Sequence, residues 1–524
     1  MEWFDTWGLS LIVFLPLVGA LLVVLLPKEQ EESHKWISLI TTGIVLILSV
    51  VAAASFDFGA AKSFQYEVNE SWISAIGANY HIGVDGISLP LLVLSSFVTL
   101  LAVIYSWNNW EEPRNPKAFL ALMLLLLTGM NGTFVALDLV LFFIFFELVL
   151  LPMYFMIGIW GDKSERQLPV FGKTVSVCLY AAIKFFLFTL FGSAFMLLGF
   201  LALYIKSGDF GTRTFDIPEL IELAPQLTGL SVAGWIFAGL FLGFAVKVPM
   251  FPFHTWLPDA HTAAPTVGSV LLAAILLKLG SYGFIRIALP ILPEQARDWA
   301  PVIAILAVIG IIYGALACLA QTDMKRLIAF SSVGHMGFVM LGIATLTDVG
   351  INAAIIGMVA HGVITGLLFF LAGSMSHRYH TRDMERLGGN QKLMPMLGSI
   401  LAFTAMASLG LPGLAGFWGE FMSLIGSYNP LEGLSLGLFR TAMVIGAVGT
   451  VLTAGYLLWM LQKVNLGEPK AEWDDHEFHD VDKFEMAAWV PLIVTIIAIG
   501  VYPKIVFGAT TEAVEALVKT AFGG

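Results

Sequence analysis

Long apolar runs recur along the whole chain, separated by short polar stretches. They fall near residues 9–27, 36–56, 87–107, 117–136, 138–160, 174–205, 233–248, 262–288, 300–319, 326–346, 351–375, 395–425, 439–462 and 486–507. A helix crosses the hydrocarbon of a bilayer with about 20 mostly apolar residues. The runs are continuous rather than alternating in segments of about ten, which excludes a membrane β-barrel. The pattern predicts an all-α integral membrane protein of about fourteen transmembrane helices. The longest connections, near 57–85, 206–232 and 463–485, are too short for a soluble domain.

Two spans carry an interruption. The seventh is apolar from Ala233 to Val246 and then meets Lys247-Val-Pro-Met-Phe-Pro252. The twelfth is interrupted by Gly410-Leu-Pro-Gly413 and continues through Phe417-Trp-Gly-Glu420. Proline removes a backbone donor and clashes with the preceding turn, so both helices should break within the membrane. Irregular backbone at that depth survives only inside protein or beside a wet cavity. Breaks at matching places in two halves point to inverted repeats built around a transport site. The expected division is an N-terminal three-helix segment over 1–116, a first five-helix repeat over 117–290 and a second over 291–463. An acidic loop, the last helix and a short tail then fill 464–524, with little following the last span beyond Thr510–Gly524.

Composition supports this picture. Of the 524 residues, 58% are hydrophobic and 12% charged, about half the charged fraction of a soluble domain. The formal net charge of -11 argues against nucleic-acid binding. With the N-terminus placed outside, sixteen of the 27 Lys and Arg fall in inner loops and eight in outer ones, while Lys184, Lys247 and Lys278 lie within spans. The excess of basic residues on the inner side sets that orientation, with both termini outside. The start, Met1-Glu-Trp-Phe-Asp5, is acidic and the first apolar run lacks a small-residue cleavage site, so that run reads as a retained span. Cys178 and Cys318 are the two cysteines, and they give neither a disulfide framework nor metal or iron–sulfur spacing.

Charge buried in a span costs at least about 2.5–3.5 kcal/mol, so each such residue is a candidate for function. Glu147 lies deep in its span, with Pro152 about one turn on. Lys247 stands at the first break and Glu147 is its candidate partner. Burial lowers the proton affinity of a lysine and a nearby carboxylate restores it, so a pair that opens and closes forms a gated proton carrier. A static ion pair would not need a broken helix. Lys278 is too deep to reach an interface, whereas Lys184 is nearer its helix end and could snorkel. His335 and His361 fall near mid-span; histidine titrates near neutral pH and suits a relay, although a lone buried histidine is as often a core residue. Glu420 mirrors Lys247 beyond the second break and is the acid expected at the far end of the path.

Other groups carry weaker signals. Asp138 begins a helix, where the dipole alone favours a carboxylate. His254, Asp259 and His261 match no standard zinc spacing and are expected to serve structure or proton entry. His476 and His479 lie in an acidic loop that reads as solvated. The chain has no GxxxxGK[ST], no GxGxxG after a strand and no CxxCH. It is therefore expected to hold no cofactor, with its energy coming from another subunit or an ion gradient.

At four places the chain resembles the antiporter-like subunits of respiratory complex I. These are Phe146-Glu147 through Pro152-Met-Tyr154, Lys247 through Thr266, Ser331-Ser-Val-Gly-His-Met-Gly337 and Leu411 through Glu420. Glutamate at the broken twelfth helix is similar to the M type, where L and N types usually carry lysine. The resemblance implies a non-redox, proton-translocating subunit of an NADH:quinone oxidoreductase in a bacterial inner membrane. NADH, flavin, iron–sulfur clusters and quinone would belong to partner subunits, which include L- and N-type neighbours. It further implies that Glu147 and Lys247 form the coupled pair, Lys278 the central relay, His335 and His361 the connecting groups and Glu420 the exit-side acid. Subunits of multisubunit sodium/proton antiporters and of related hydrogenase and photosynthetic complexes share these features, and a non-pumping scaffold is the third reading.

Overall fold

The computed structural model describes residues 2–168, 173–211 and 213–523. Met1 and Gly524, the ends of the expected first and last segments, lie outside the described residues.

Helices dominate. Four come first: α1 (Glu2–Leu25), α2 (Glu31–Ser55), α3 (Leu89–Tyr105) and α4 (Pro116–Val135). The next group is α5 (Leu139–Trp160), α6 (Val177–Ser207), α7 (Ala233–Lys247), α8 (Trp256–Ala263) and α9 (Thr266–Ile291). Then follow α10 (Pro293–Leu319), α11 (Met324–Ala344), α12 (Asp348–Tyr379), α13 (Pro395–Ser408) and α14 (Gly416–Tyr428). The chain ends with α15 (Leu436–Val464), α16 (Lys483–Val501) and α17 (Lys504–Phe522). Among the described residues, eleven helices are long and apolar enough to cross a membrane, and α3, α7 and α13 are shorter apolar helices. Each of the fourteen apolar runs in the sequence overlaps one of these. The protein is a multi-pass membrane protein.

Burial sorts the helices into an inner and an outer set. Every residue of α9 is buried, and α11 and α12 are buried over nearly all their length. By contrast α6 keeps Leu179, Ile183, Leu187 and Phe191 exposed, and α15 exposes Val444, Val448 and Val451. Such faces suit a lipid solvent, in which an outward apolar side chain costs nothing. The inner set accommodates the buried ionisable groups.

Both breaks occur where the prolines and glycines place them. α7 ends at Lys247, and after an irregular stretch α8 begins at Trp256. The carbonyl of Val246, freed by the break, accepts a hydrogen bond from the Trp256 indole at 2.9 Å. α13 ends at Ser408 and α14 begins at Gly416. Between them Gly410 and Gly413 take φ of +82° and +93°, where a side chain would be strained. The last span clamps this gap: Ala415 donates its N–H to the Ile496 carbonyl, and the Trp418 indole donates to Gly500 at 2.8 Å.

Two features depart from the sequence reading. Antiparallel hairpins join Gln65–Ile73 (β1) to Ala78–Val84 (β2) and Glu165–Leu168 (β3) to Lys173–Ser176 (β4). They lie in connections between helices, where backbone must pair locally. The tail is also more than a stub, because α17 runs for 19 residues after the last span. It packs against Gly86, where a Cβ would fall 1.9 Å from the Ala509 carbonyl, and Thr510 donates to Asn352 Oδ1 at 2.5 Å.

Candidate functional site: a buried row of ionisable side chains

The seven ionisable residues singled out within spans fall into three groups. Glu147 on α5 and Lys247 at the end of α7 form the first. Phenylalanines join their helices: Phe244 packs edge-on to both Phe142 and Phe146, with ring centroids 6.3 Å apart in each case. Lys247 is 2% exposed, and its ammonium sits 4.6 Å from the Phe146 ring centroid. Lys247 Nζ and Glu147 Oε1 both lack a hydrogen-bond partner among the described residues. The pair is therefore adjacent but open.

The second group is a connected row. Lys278 is fully buried at mid-length of α9. A π-helical turn over Leu272–Leu276 precedes it, and Lys278 donates to the carbonyl of Ala273, five residues back. A widened turn leaves carbonyls poorly paired, which makes one available to a side chain. Lys278 Nζ also lies 2.6 Å from His361 Nδ1 on α12. For the lysine to donate there, His361 must carry its proton on Nε2. The His361 and His335 rings meet edge to face at 5.8 Å. His335, on α11, bonds Glu420 Oε1 through Nδ1 at 2.8 Å and Ser408 Oγ through Nε2 at 3.2 Å. The row thus spans four helices, from α9 through α12 and α11 to α14.

A cavity of about 30 Å³ lies between the two histidines and Glu420. That is room for at least one ordered water. His361 Nε2, Thr365 Oγ1 and Glu420 Oε2 lack partners among the described residues, and all three residues line it. Three polar contacts are what a buried water usually makes.

Lys184 stands apart, as the third case. Its ammonium bonds Asp259 Oδ2 on α8 at 2.7 Å, near the end of α6 that joins the β3–β4 hairpin. His254 packs against Phe251 and Tyr313, while His261 lies flat on Phe369 with ring centroids 4.5 Å apart. Asp138 caps α5, accepting the N–H groups of Val140 and Leu141. His476 packs on Phe478 at 4.5 Å in its loop.

One element of the site escaped sequence reading. A polar cavity of about 740 Å³ opens at the same end of the bundle as the β3–β4 hairpin, lined by Glu111, Asp162, Lys325, His377, Arg382 and Asp383 among others. Lys325, 4% exposed, donates to the Ala264 carbonyl at its floor. Glu111 accepts from the Thr266 N–H at 3.4 Å and lies 3.1 Å from His377 Nε2. Burial pushes the Glu111 carboxyl up, but the His377 bond and charge, Lys325 and the Thr266 N–H together hold it down at about 2. No run of spacing links these residues, which come from five separate segments.

Comparison with known proteins gives a consistent result. Residues 136–446 match the family described as NADH:quinone oxidoreductase/Mrp antiporter, transmembrane, and residues 11–133 match the NADH-ubiquinone oxidoreductase chain 4 amino terminus. The chain is 38% identical over 515 residues to NADH-quinone oxidoreductase subunit M of Rickettsia conorii, covering 97% of this chain and 98% of that one. It is 39% identical over 525 residues to subunit M of Rhodobacter capsulatus, covering 98% and 96%. Among solved structures, a chain of respiratory complex I from Thermus thermophilus with bound NADH superposes with a TM-score of 0.84 at 27% identity, covering 98% of this chain and 99% of that one.

Proposed function

The chain belongs to the NADH:quinone oxidoreductase/Mrp antiporter membrane family, and from this premise we propose how it works as a proton-translocating membrane subunit of a bacterial NADH-quinone oxidoreductase. Glu147 and Lys247 act as a switch that opens and closes with the first broken helix. Lys278 receives the proton between the two halves. His361 and His335 pass it on, with one water in the cavity beside them, and Glu420 releases it. The row from Lys278 to Glu420, hydrogen-bonded at both ends and joined in the middle by the edge-to-face contact of His361 and His335, is the observation that carries this reading. A structural packing role would need neither two histidines in series nor orphaned polar atoms around a water-sized space.

The energy comes from electron transfer in partner subunits, and this chain is the non-redox module. Two separate buried cysteines cannot supply the four thiolates of an iron–sulfur cluster. NADH, flavin, clusters and quinone are accordingly assigned to neighbours, with L- and N-type subunits on either side. The Lys and Arg distribution supports both termini on the outer face, which puts the large polar cavity inside. It would then collect protons, with His261 leading inward from it. The segments 1–116, 117–290, 291–463 and 464–524 are the units we assign, the middle two as inverted repeats carrying the breaks. Lys184, tied to Asp259, lies off the line and contributes less.

The test uses the assembled complex in inverted membrane vesicles. Lys247→Ala and Glu147→Ala should each abolish NADH-driven proton uptake and slow quinone reductase turnover, with the subunit still present. Loss of sodium tolerance alone would assign the chain to cation/proton antiport. Intact pumping with poor assembly would leave a scaffold.

A further inference from the structure

Near the end of α6 that joins the β3–β4 hairpin, three cations surround one carboxylate. Asp259 Oδ2 accepts from Lys184 at 2.7 Å, while Oδ1 accepts from Arg166 at 3.3 Å and lies 3.4 Å from Arg326 Nη1. The Asp259 side chain is 8% exposed, yet Arg166 and Arg326 are 41% and 34% exposed. Asp162, another acid at this place, is taken by Arg382 at 2.6 Å. Glu165 also lines the recess and Arg382 is shared with Asp323, so what the cluster offers an anion is the N–H groups of its two exposed arginines rather than a large net charge. Among the described residues Arg166 donates only through Nη1, to Asp259, so most of its five N–H groups point elsewhere.

A cavity of about 280 Å³ opens between Arg166, Arg326, Tyr180 and Asp259. Tyr180 forms one wall, with the Arg166 guanidinium carbon 4.9 Å and Lys184 Nζ 5.7 Å from its ring centroid. Beyond it the outer face of α6 is apolar: Leu179, Ile183 and Leu187 are each about half exposed. Lys184 sits seven residues into α6, about 10 Å down the helix, and its ammonium reaches back toward the helix end. A cationic recess with an apolar strip running away from it along a membrane helix matches one kind of ligand. The planar fork of arginine pairs well with phosphate oxygens, and basic residues near a bilayer surface attract anionic lipid.

We propose that Arg166, Lys184 and Arg326 around Asp259 bind the phosphodiester of an anionic phospholipid whose acyl chains lie along Leu179, Ile183 and Leu187. The lipid would take up the N–H groups that Arg166 and Arg326 leave unused and hold β3–β4, α6, α8 and α11 together beside the first break.

Photoactivatable phosphatidylglycerol and phosphatidylcholine, each with its reactive group high in an acyl chain, test this on the whole complex in nanodiscs. The wild-type peptide carrying Leu179 and Ile183 should be labelled by the phosphatidylglycerol probe about tenfold more than by the other. Unlabelled phosphatidylglycerol should compete, and inorganic phosphate should not. The Arg166→Gln/Arg326→Gln double variant should lose that preference; Arg166→Lys/Arg326→Lys, which keeps the charge but not the planar fork, should keep part of it. Arg386→Gln, which removes a basic residue paired with Glu472 elsewhere, should keep it in full. Equal labelling by both lipids in the wild type overturns the proposal, whether or not the double variant assembles. Competition by inorganic phosphate would assign a free-anion site instead. Crosslinks from this peptide to a neighbouring subunit in place of lipid would assign a protein interface.

Discussion

Glu420 sits where the chemistry of one proton is most exposed to test. Its Oε1 is bonded to His335 and its Oε2 lines the water-sized cavity, so it can take a proton on one side and give it up on the other. Glu420→Gln keeps the shape and removes the acid. Proton pumping in vesicles should fall by about tenfold or more with the complex still assembled. Glu420→Asp keeps the acid but draws it back from His335, now 2.8 Å away, and should give an intermediate rate. A different residue makes the pH case outside the spans. Burial disfavours the charged form of His81, but its bonds and charge interactions with Asp216 and then Glu67 outweigh this and raise its pKa. The stabilisation is full below about pH 6.5 and fades as pH rises through the elevated value. Amide exchange across β1 and β2, corrected for intrinsic rate, should quicken with rising pH in the wild type. His81→Gln should remove that dependence.

Each broken helix depends on an indole that takes over a backbone duty. Trp256 satisfies the Val246 carbonyl at the first break, and Trp418 reaches the Gly500 carbonyl at the second. Trp256→Phe keeps the ring and orphans the carbonyl, a loss of about 1–3 kcal/mol. It should lower the thermal midpoint of the complex and depress pumping, whereas an exposed Trp235→Phe should do neither. The breaks themselves were legible, since Lys247-Val-Pro and Gly410-Leu-Pro-Gly413 cannot continue a helix. Partners were less so. Lys278 sits deep in an apolar run, but nothing in spacing places it 2.6 Å from a histidine 83 residues away. Lys184 and Asp259 are 75 residues apart in sequence and meet only because α6 and α8 pack side by side. The β1–β2 hairpin leaves little trace in the pattern of 20-residue apolar runs, because Tyr66, Val68 and Ile82 belong to short strands. α17 was missed for a related reason: it is amphipathic rather than apolar throughout.

At the scale of the molecule, a buried ion pair ties the first three helices to the row of charges. Asp85, at the turn from β2 into α3, accepts from Arg286 Nη2 at 2.5 Å, and both side chains are 5% exposed. Arg286 also donates through Nε to the Tyr282 hydroxyl, which in turn donates to the Phe134 carbonyl at the end of α4. Since Arg286 and Lys278 share α9, this network fixes the depth at which Lys278 stands. Removing one partner leaves a charge stranded, at a cost of about 3–5 kcal/mol, while replacing both with apolar groups is often close to neutral. Asp85→Ala should therefore strip the subunit from the complex on native gels or lower its thermal midpoint sharply. Asp85→Ala with Arg286→Met should recover much of the assembly. If the pair only anchors α9, the double variant pumps in proportion to the complex recovered. Pumping that stays low in a fully assembled double variant would mean the Arg286 charge itself acts on the proton row.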